Sequence, residues 1–304
     1  MTHHMLPLFV PWTRGLAAGL LAVTLASCRA FSGSGDPIEP AGSPPSFEAA
    51  DKTLAAGLYV VFDSLVAEEP APTPLDRRSW AEGTLADLTI AEKAGQLIMP
   101  WVLGDFAPEG SSSHERMLTY IEEQGIGGGI MSVGTPYDVA AKLNDLQRHS
   151  EIPLLVAADL ETGAGFRMRG AIHMPGAIDL GGATDFPSLM AVGATGREEL
   201  AYEMGKITAI EARAVGIHVP FAPVLDVNNN PDNPIINVRS FGEDPDRVAR
   251  MGIAFIEGVQ DNGAIATGKH FPGHGDTDTD SHVALPVILH DRARMDSVEL
   301  HPFQ

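Results

Sequence analysis

The chain has 304 residues, 44% of them hydrophobic, and a mean hydropathy of +0.02. That is enough apolar side chain for a sizeable buried core, and it excludes an intrinsically disordered protein. Forty acidic residues against 20 basic ones give a net charge of −20, so the cationic surface that neutralises nucleic-acid phosphates is missing and no nucleic-acid partner is expected.

The N-terminus is a short head ending at Arg14, an apolar stretch from Gly15 to Ala26, and then Leu25-Ala26-Ser27-Cys28. The stretch is too short to span a bilayer and is read as a cleaved export signal. Cys28 is the only cysteine, which excludes an intrachain disulfide. A small-residue run ending in that cysteine resembles a bacterial lipoprotein signal. It implies cleavage after residue 27, lipidation of Cys28 and a lipid tether without a transmembrane helix. The expected location is therefore exported and membrane-anchored, on the periplasmic or cell-surface side. From Arg29 to Pro45 the chain is rich in Gly, Ser, Pro and Ala, as in a flexible spacer. Asp51 to Val66 has a helical pattern, and Glu68 to Pro74 interrupts it. The expected organisation is a signal peptide over 1–27, a tether and spacer over 28–78, and the main domain over 79–304.

From there short apolar runs alternate with helical patterns, which predicts βα units and a parallel sheet. Helix Thr89 to Leu97 leads into a first strand at Leu97 to Trp101. Helix His114 to Gln124 precedes a second strand at Gly125 to Met131. Helix Tyr137 to His149 precedes a third at Pro153 to Asp159. A long helix from Arg197 to Val215 leads to a fourth around Val219 to Asp226. Helix Pro245 to Asn262 leads to a fifth at Ala264 to His270. The third, fourth and fifth strands end in Asp159, Asp226 and Lys269-His270. In a parallel barrel all the carboxyl ends lie on one face, so residues more than a hundred positions apart would converge there.

The chemically densest stretch is Lys269 to Pro286, KHFPGHGDTDTDSHVALP. His270, His274 and His282 with Asp276, Asp278 and Asp280 could supply metal ligands, but their spacing matches no standard zinc pattern. Gly273 and Gly275 hint at a phosphate loop, yet the Gly-Lys-Ser/Thr of a nucleotide site is absent. A structural Gly- and Asp-rich turn is a third reading. The fourth is acid/base catalysis by Asp280 and His282. In an extended loop, side chains two apart share a side, so the carboxylate would orient the ring for proton transfer.

Lys269-His270-Phe271-Pro272-Gly273-His274-Gly275-Asp276-Thr277, followed by Asp280-Ser281-His282, resembles the signature of glycoside hydrolase family 3 in its β-N-acetylhexosaminidase branch. Phe221 to Val227, Arg239 to Pro245 and Ala158 to Glu161 extend the similarity in matching order, from about Trp80 to Gln304. The resemblance implies a TIM-type (β/α)8 barrel, incomplete here with about five of eight βα units. It also implies retaining hydrolysis of terminal β-linked N-acetylglucosamine without metal or cofactor, on muropeptides or chitin-like oligosaccharides. His282 and Asp280 match the branch's acid/base pair. Asp159, Arg167, Arg239, Lys269 and His270 match its sugar-binding residues. Glu161-Thr162-Gly163-Ala164 departs from the Glu-Gly-Gly-Arg of many cytosolic members. A retaining enzyme also needs a carboxylate nucleophile; none here matches the family's, so it is expected beyond Gln304 and the fragment is expected to be inactive. Two other functions fit the same residues: a glycoside phosphorylase, and a non-catalytic carbohydrate-binding lipoprotein.

Overall fold

The structure is a computed structural model that describes residues 74–170 and 181–304. The expected signal peptide, Cys28, the spacer and the Asp51 to Val66 helix lie outside the described residues. Helix α1 (Pro74–Asp87) contains the expected domain start near Ser79. The next helix, α2 (Ile90–Gly95), is set by Thr89, whose hydroxyl accepts from Glu92 N (3.3 Å) while the Glu92 carboxylate accepts from Thr89 N (2.7 Å). This reciprocal cap satisfies two N–H groups the helix cannot.

Four parallel strands follow: β1 (Trp101–Gly104), β2 (Gly128–Gly134), β3 (Leu155–Ala158) and β4 (Val219–Pro220), hydrogen-bonded in that order. Their register is regular, with Gly128 opposite Leu155 and Ala157 opposite Val219. The first two strands lie about three residues later than their apolar runs suggest. Gly127 and Gly128 carry no side chain because a Cβ there would sit 2.0 Å from Gln96 O and 1.9 Å from Leu155 O. The fourth strand is much shorter than predicted, because Pro220 and Pro223 have no N–H for the ladder. Its continuation still pairs with the predicted fifth segment. Ile265 N donates to His218 O (2.9 Å), Thr267 N to Ala222 O (2.9 Å), and Val224 bridges Lys269 in parallel.

The crossovers are helical, as parallel strands require. They are α3 (Ser112–Leu118), running on into a wider turn at Thr119–Glu123, then α4 (Pro136–Arg148), α5 (Leu189–Ala194), α6 (Glu198–Ala214) and α7 (Pro245–Gln260). A short α8 (Arg292–Ser297) follows the loop that carries Asp280 and His282. The sequence patterns do not announce α1, α5 or α8. In α4, Thr135 caps Asp138 N, Pro136 occupies the first turn, and Val139, Leu143 and Leu146 form the buried stripe. These pack with Val102, Met131 and Val156 of the sheet into one core. A second core gathers Leu189, Met204, Ala222, Val224, Phe241, Val248, Met251 and Phe255. Burying a ring such as Phe255 contributes roughly 2–3 kcal/mol. Helices α6 and α7 approach closely through glycine: a Cβ on Gly205 would lie 2.2 Å from Phe255 O, and one on Gly258 2.1 Å from Tyr202 O.

The sheet is open at β1. Trp101 is 72% exposed there, and a cavity of about 600 Å³ lies beside that edge, lined by Trp101, Phe106, Met117, Tyr120 and Lys142. A parallel sheet with helical crossovers and, among the described residues, an unpaired edge at β1 is the arrangement expected of an incomplete barrel. Among the described residues no helix is long and apolar enough to cross a membrane.

Candidate active site

The polar residues gather away from that cavity, at the carboxyl ends of β3, β4 and the fifth segment. Asp159 leaves β3 and accepts from Lys269 Nζ (2.7 Å) and Arg167 Nη2 (3.0 Å). Arg167 ends a 3-10 turn at Ala164–Phe166. Glu161 stands two residues beyond Asp159 and is nearly buried. It accepts from Arg239 through both Nε (2.9 Å) and Nη2 (2.8 Å), and pairs with Lys269 Nζ at 2.8 Å. Arg239 closes a second 3-10 turn, Asn237–Arg239, and Nη1 is fixed on Ile235 O (3.0 Å).

Burial pushes the Glu161 carboxyl up. The hydrogen bond from Arg239 and the charge of Lys269 outweigh it and hold the group at about 2. Asp159 shows the same contest: burial raises it, the Lys269 hydrogen bond and charge and then Arg167 lower it, and it ends below the usual carboxylate range. Both carboxylates are ionised at neutral pH.

Fully buried Asp226 organises the other half. Its Oδ2 meets His270 Nδ1 (2.6 Å) and accepts from His270 N (3.2 Å), while Oδ1 accepts from His274 N (2.5 Å). With Nδ1 held by the carboxylate, the network assigns the ring proton to Nδ1, and His270 Nε2 accepts from Arg239 Nη2 (3.2 Å). The structure thus brings together all five predicted sugar-binding residues, Asp159, Arg167, Arg239, Lys269 and His270, with Glu161 and Asp226 as their supports. Asp159 and Glu161 pair with Arg167, Arg239 and Lys269 while Asp226 holds His270, and the polar tips converge at strand ends. Such a cluster presents paired acceptors and donors to a neutral polyhydroxylated ligand.

The loop beyond is anchored by a part of the site that sequence reasoning missed. Asn233, buried, donates to His274 O (2.8 Å) and Gly275 O (3.1 Å), and its own Oδ1 accepts from Ile235 N and Ile236 N. A Cβ on Gly275 would lie 1.8 Å from Val227 O, so the loop can leave the sheet only through glycine there. Farther on, Asp280 Oδ1 meets His282 Nδ1 (2.7 Å) and accepts from His282 N (2.9 Å). The predicted pair therefore forms, but on a turn in which Val283 N and Ala284 N return to Asp280 O, not in an extended loop. The backbone N–H of His282, and then its ring, lower the Asp280 carboxyl. The ring itself is 77% exposed, and among the described residues its hydrogen-bond partner is Asp280, not the Asp159 cluster.

The three histidines and three aspartates weighed as metal ligands are dispersed: His270 goes to Asp226, His274 to Thr277 and His282 to Asp280. A different trio, Asp276, His290 and Glu299, places ligand atoms within 4.8 Å of one another. Arg294 already brings a positive charge there, 3.1 Å from Glu299 Oε1 and 4.0 Å from Asp276 Oδ2.

Residues 89–304 match the model of the glycosyl hydrolase family 3 N terminal domain. The chain belongs to glycosyl hydrolase family 3. Within family 3, it is 37% identical over 194 residues to beta-hexosaminidase A of Pseudoalteromonas piscicida, covering 60% of this chain and 31% of that one. A solved family 3 β-N-acetylglucosaminidase from Paenibacillus sp. str. FPU-7 superposes with a TM-score of 0.58 at 41% identity, over 71% of this chain and 39% of the other. The beta-glucoside phosphorylase BglX bound to 2FGlc superposes at 0.64 with 29% identity, over 80% of this chain and 40% of the other. The chain thus spans about a third of its hexosaminidase relative. The barrel expectation agrees with these family 3 neighbours, and a glycoside hydrolase-like protein is what the matches establish.

Proposed function

We propose that this family 3 protein hydrolyses terminal β-linked N-acetylglucosamine with retention, on muropeptides or chitin-like oligosaccharides. The observation that carries the reading is the Asp280–His282 pair, mounted on the loop that continues directly from the sugar-cradling Lys269 and His270. In this reading Asp159, Arg167, Arg239, Lys269 and His270 hold the terminal sugar. Asp280 fixes Nδ1 of His282, so Nε2 is presented to the glycosidic oxygen and protonates it as the leaving group departs. A carboxylate nucleophile outside the residues named here bonds the anomeric carbon as that oxygen leaves, and in the second step the same nitrogen takes the proton of the water that displaces it. Asp159 and Glu161 are each committed to two cations, and Asp226 to N–H donors and the His270 ring. The nucleophile is therefore assigned to none of them. The test is release of chromophore from an aryl N-acetylglucosaminide by the full-length protein; absence of release would overturn the reading.

A phosphorylase reading is favoured by the similarity to BglX. Assays with and without phosphate separate the two, because only a phosphorylase forms sugar 1-phosphate. Lipidation at Cys28 after export, with anchoring on the periplasmic or cell-surface side, is proposed with either. Cys28→Ser should then move the protein from the membrane to the soluble fraction of cells, and an unchanged distribution would count against it.

A further inference from the structure

The loop that carries Asp280 and His282 starts at the Gly275-Asp276 turn and ends at His290, just before α8. Its two feet are joined directly, by a hydrogen bond between Asp276 Oδ2 and His290 Nε2. The upstream foot has other supports. Asn233 holds the carbonyls of His274 and Gly275, and Asn230 Nδ2 donates to Asp276 O (3.4 Å) and Thr277 O (3.3 Å). The downstream foot has far less. Helix α8 buries none of its residues, and Val283, Leu285, Val287 and Leu289 are all exposed. Apart from His290, the side-chain tie from this segment toward the strand ends is Arg294, which reaches Glu299 Oε1 at 3.1 Å and approaches Asp276 Oδ2 at 4.0 Å. Glu299 is in turn held by Asn229 Nδ2 (3.2 Å).

We infer that His290 is a positioning residue: its bond to Asp276 docks the downstream foot of the acid/base loop onto the fixed upstream turn and so limits where His282 is delivered. The inference rests on His282 being the acid/base. Asp276, His290 and Glu299 lie close enough together to have held a cation. Arg294 supplies that positive charge, so the contact between the feet is direct.

The experiment is amide hydrogen exchange by mass spectrometry on the full-length protein that contains this chain, comparing wild type with H290A, D276A, the double variant H290A/D276A, and H290Q. Exchange over 278–289 should quicken about five-fold in either single variant, the factor equivalent to the ~1 kcal/mol of one intramolecular hydrogen bond. The double variant should add nothing further, because both changes remove one interaction. H290Q should restore slow exchange, since its amide N–H reaches the same oxygen. Peptides from β2 and α7 serve as controls and should not change. With an aryl N-acetylglucosaminide, H290A should lower kcat by a similar factor at unchanged KM, and H290Q should restore it. Unaltered loop exchange in H290A, additive effects in the double variant, or quickened exchange with unaltered kcat would each overturn the inference. So would zinc protecting the loop in wild type but not in H290A, which would make the cluster a cation site. If wild type does not turn over at all, the hydrolase reading fails, while exchange still decides whether His290 docks the loop.

Discussion

Replacing Glu161 by glutamine tests the electrostatic architecture of the sugar cluster. The Glu161 side chain is 7% exposed, with Arg239 on both its oxygens and Lys269 on one. Its carboxyl lies at about 2 against an ordinary 4.5, a displacement worth on the order of 3 kcal/mol of stability at neutral pH. The sign follows from proton binding. Between 4.5 and about 2 the unfolded chain binds more protons than the folded one, so stability falls as the pH falls. The contribution is complete above the unfolded value and gone once the pH drops through the folded one. Glu161→Gln removes the charge and leaves two half-buried cations, Arg239 and Lys269, short of a partner. It should therefore cost roughly 3 kcal/mol at pH 7, a cost that shrinks below the unfolded value and disappears as the folded one is passed. Urea unfolding followed by the fluorescence of the three tryptophans, at a series of pH values from neutral to strongly acidic, gives the gap directly. A gap of less than about 1 kcal/mol at neutral pH, or one that stays constant on acidification, would refute the reasoning.

Other outcomes are equally specific. His282→Ala should lower turnover of an N-acetylglucosaminide by about 10²–10⁴-fold, with partial recovery on adding azide; turnover at the wild-type rate would remove His282 from the mechanism. Gly205→Ala places a methyl 2.2 Å from Phe255 O and should destabilise the protein by about 1–3 kcal/mol, lowering the calorimetric Tm. An unshifted Tm would mean that α6 and α7 are less tightly apposed than described. Asn233→Ala strips donors from His274 O and Gly275 O and an acceptor from two backbone N–H groups. It should cost roughly 1–3 kcal/mol and quicken proteolytic nicking of the Gly275–Asp280 segment; equal nicking rates would count against its anchoring role.

Much of the barrel's beginning is legible from the chain alone, because burial against a sheet imposes periodicity and helix ends need caps. The helical patterns Tyr137 to His149 and Pro245 to Asn262 foretell α4 and α7, where the structure finds the caps Thr135 and Asp244, and the strand-end positions of Asp159, Asp226 and Lys269 follow from alternation of strand and helix. The Asp280–His282 pair is also local, since two residues two apart need only a turn to meet. What the sequence did not disclose are relations between distant segments. Glu161 lies two residues after Asp159 in the chain, but its role depends on Arg239, 78 positions away, and nothing in local pattern reports that pairing. The same holds for Asn233 beneath the loop, 41 positions before His274, and for His290 closing the loop on Asp276. Short-range propensity and periodicity act within a few residues, so composition and spacing determined the elements and the residue types on offer. Only the parallel stacking of strand ends decided which carboxylate faces which cation, because Coulomb and hydrogen-bond energies depend on distances in space that the folded sheet alone sets.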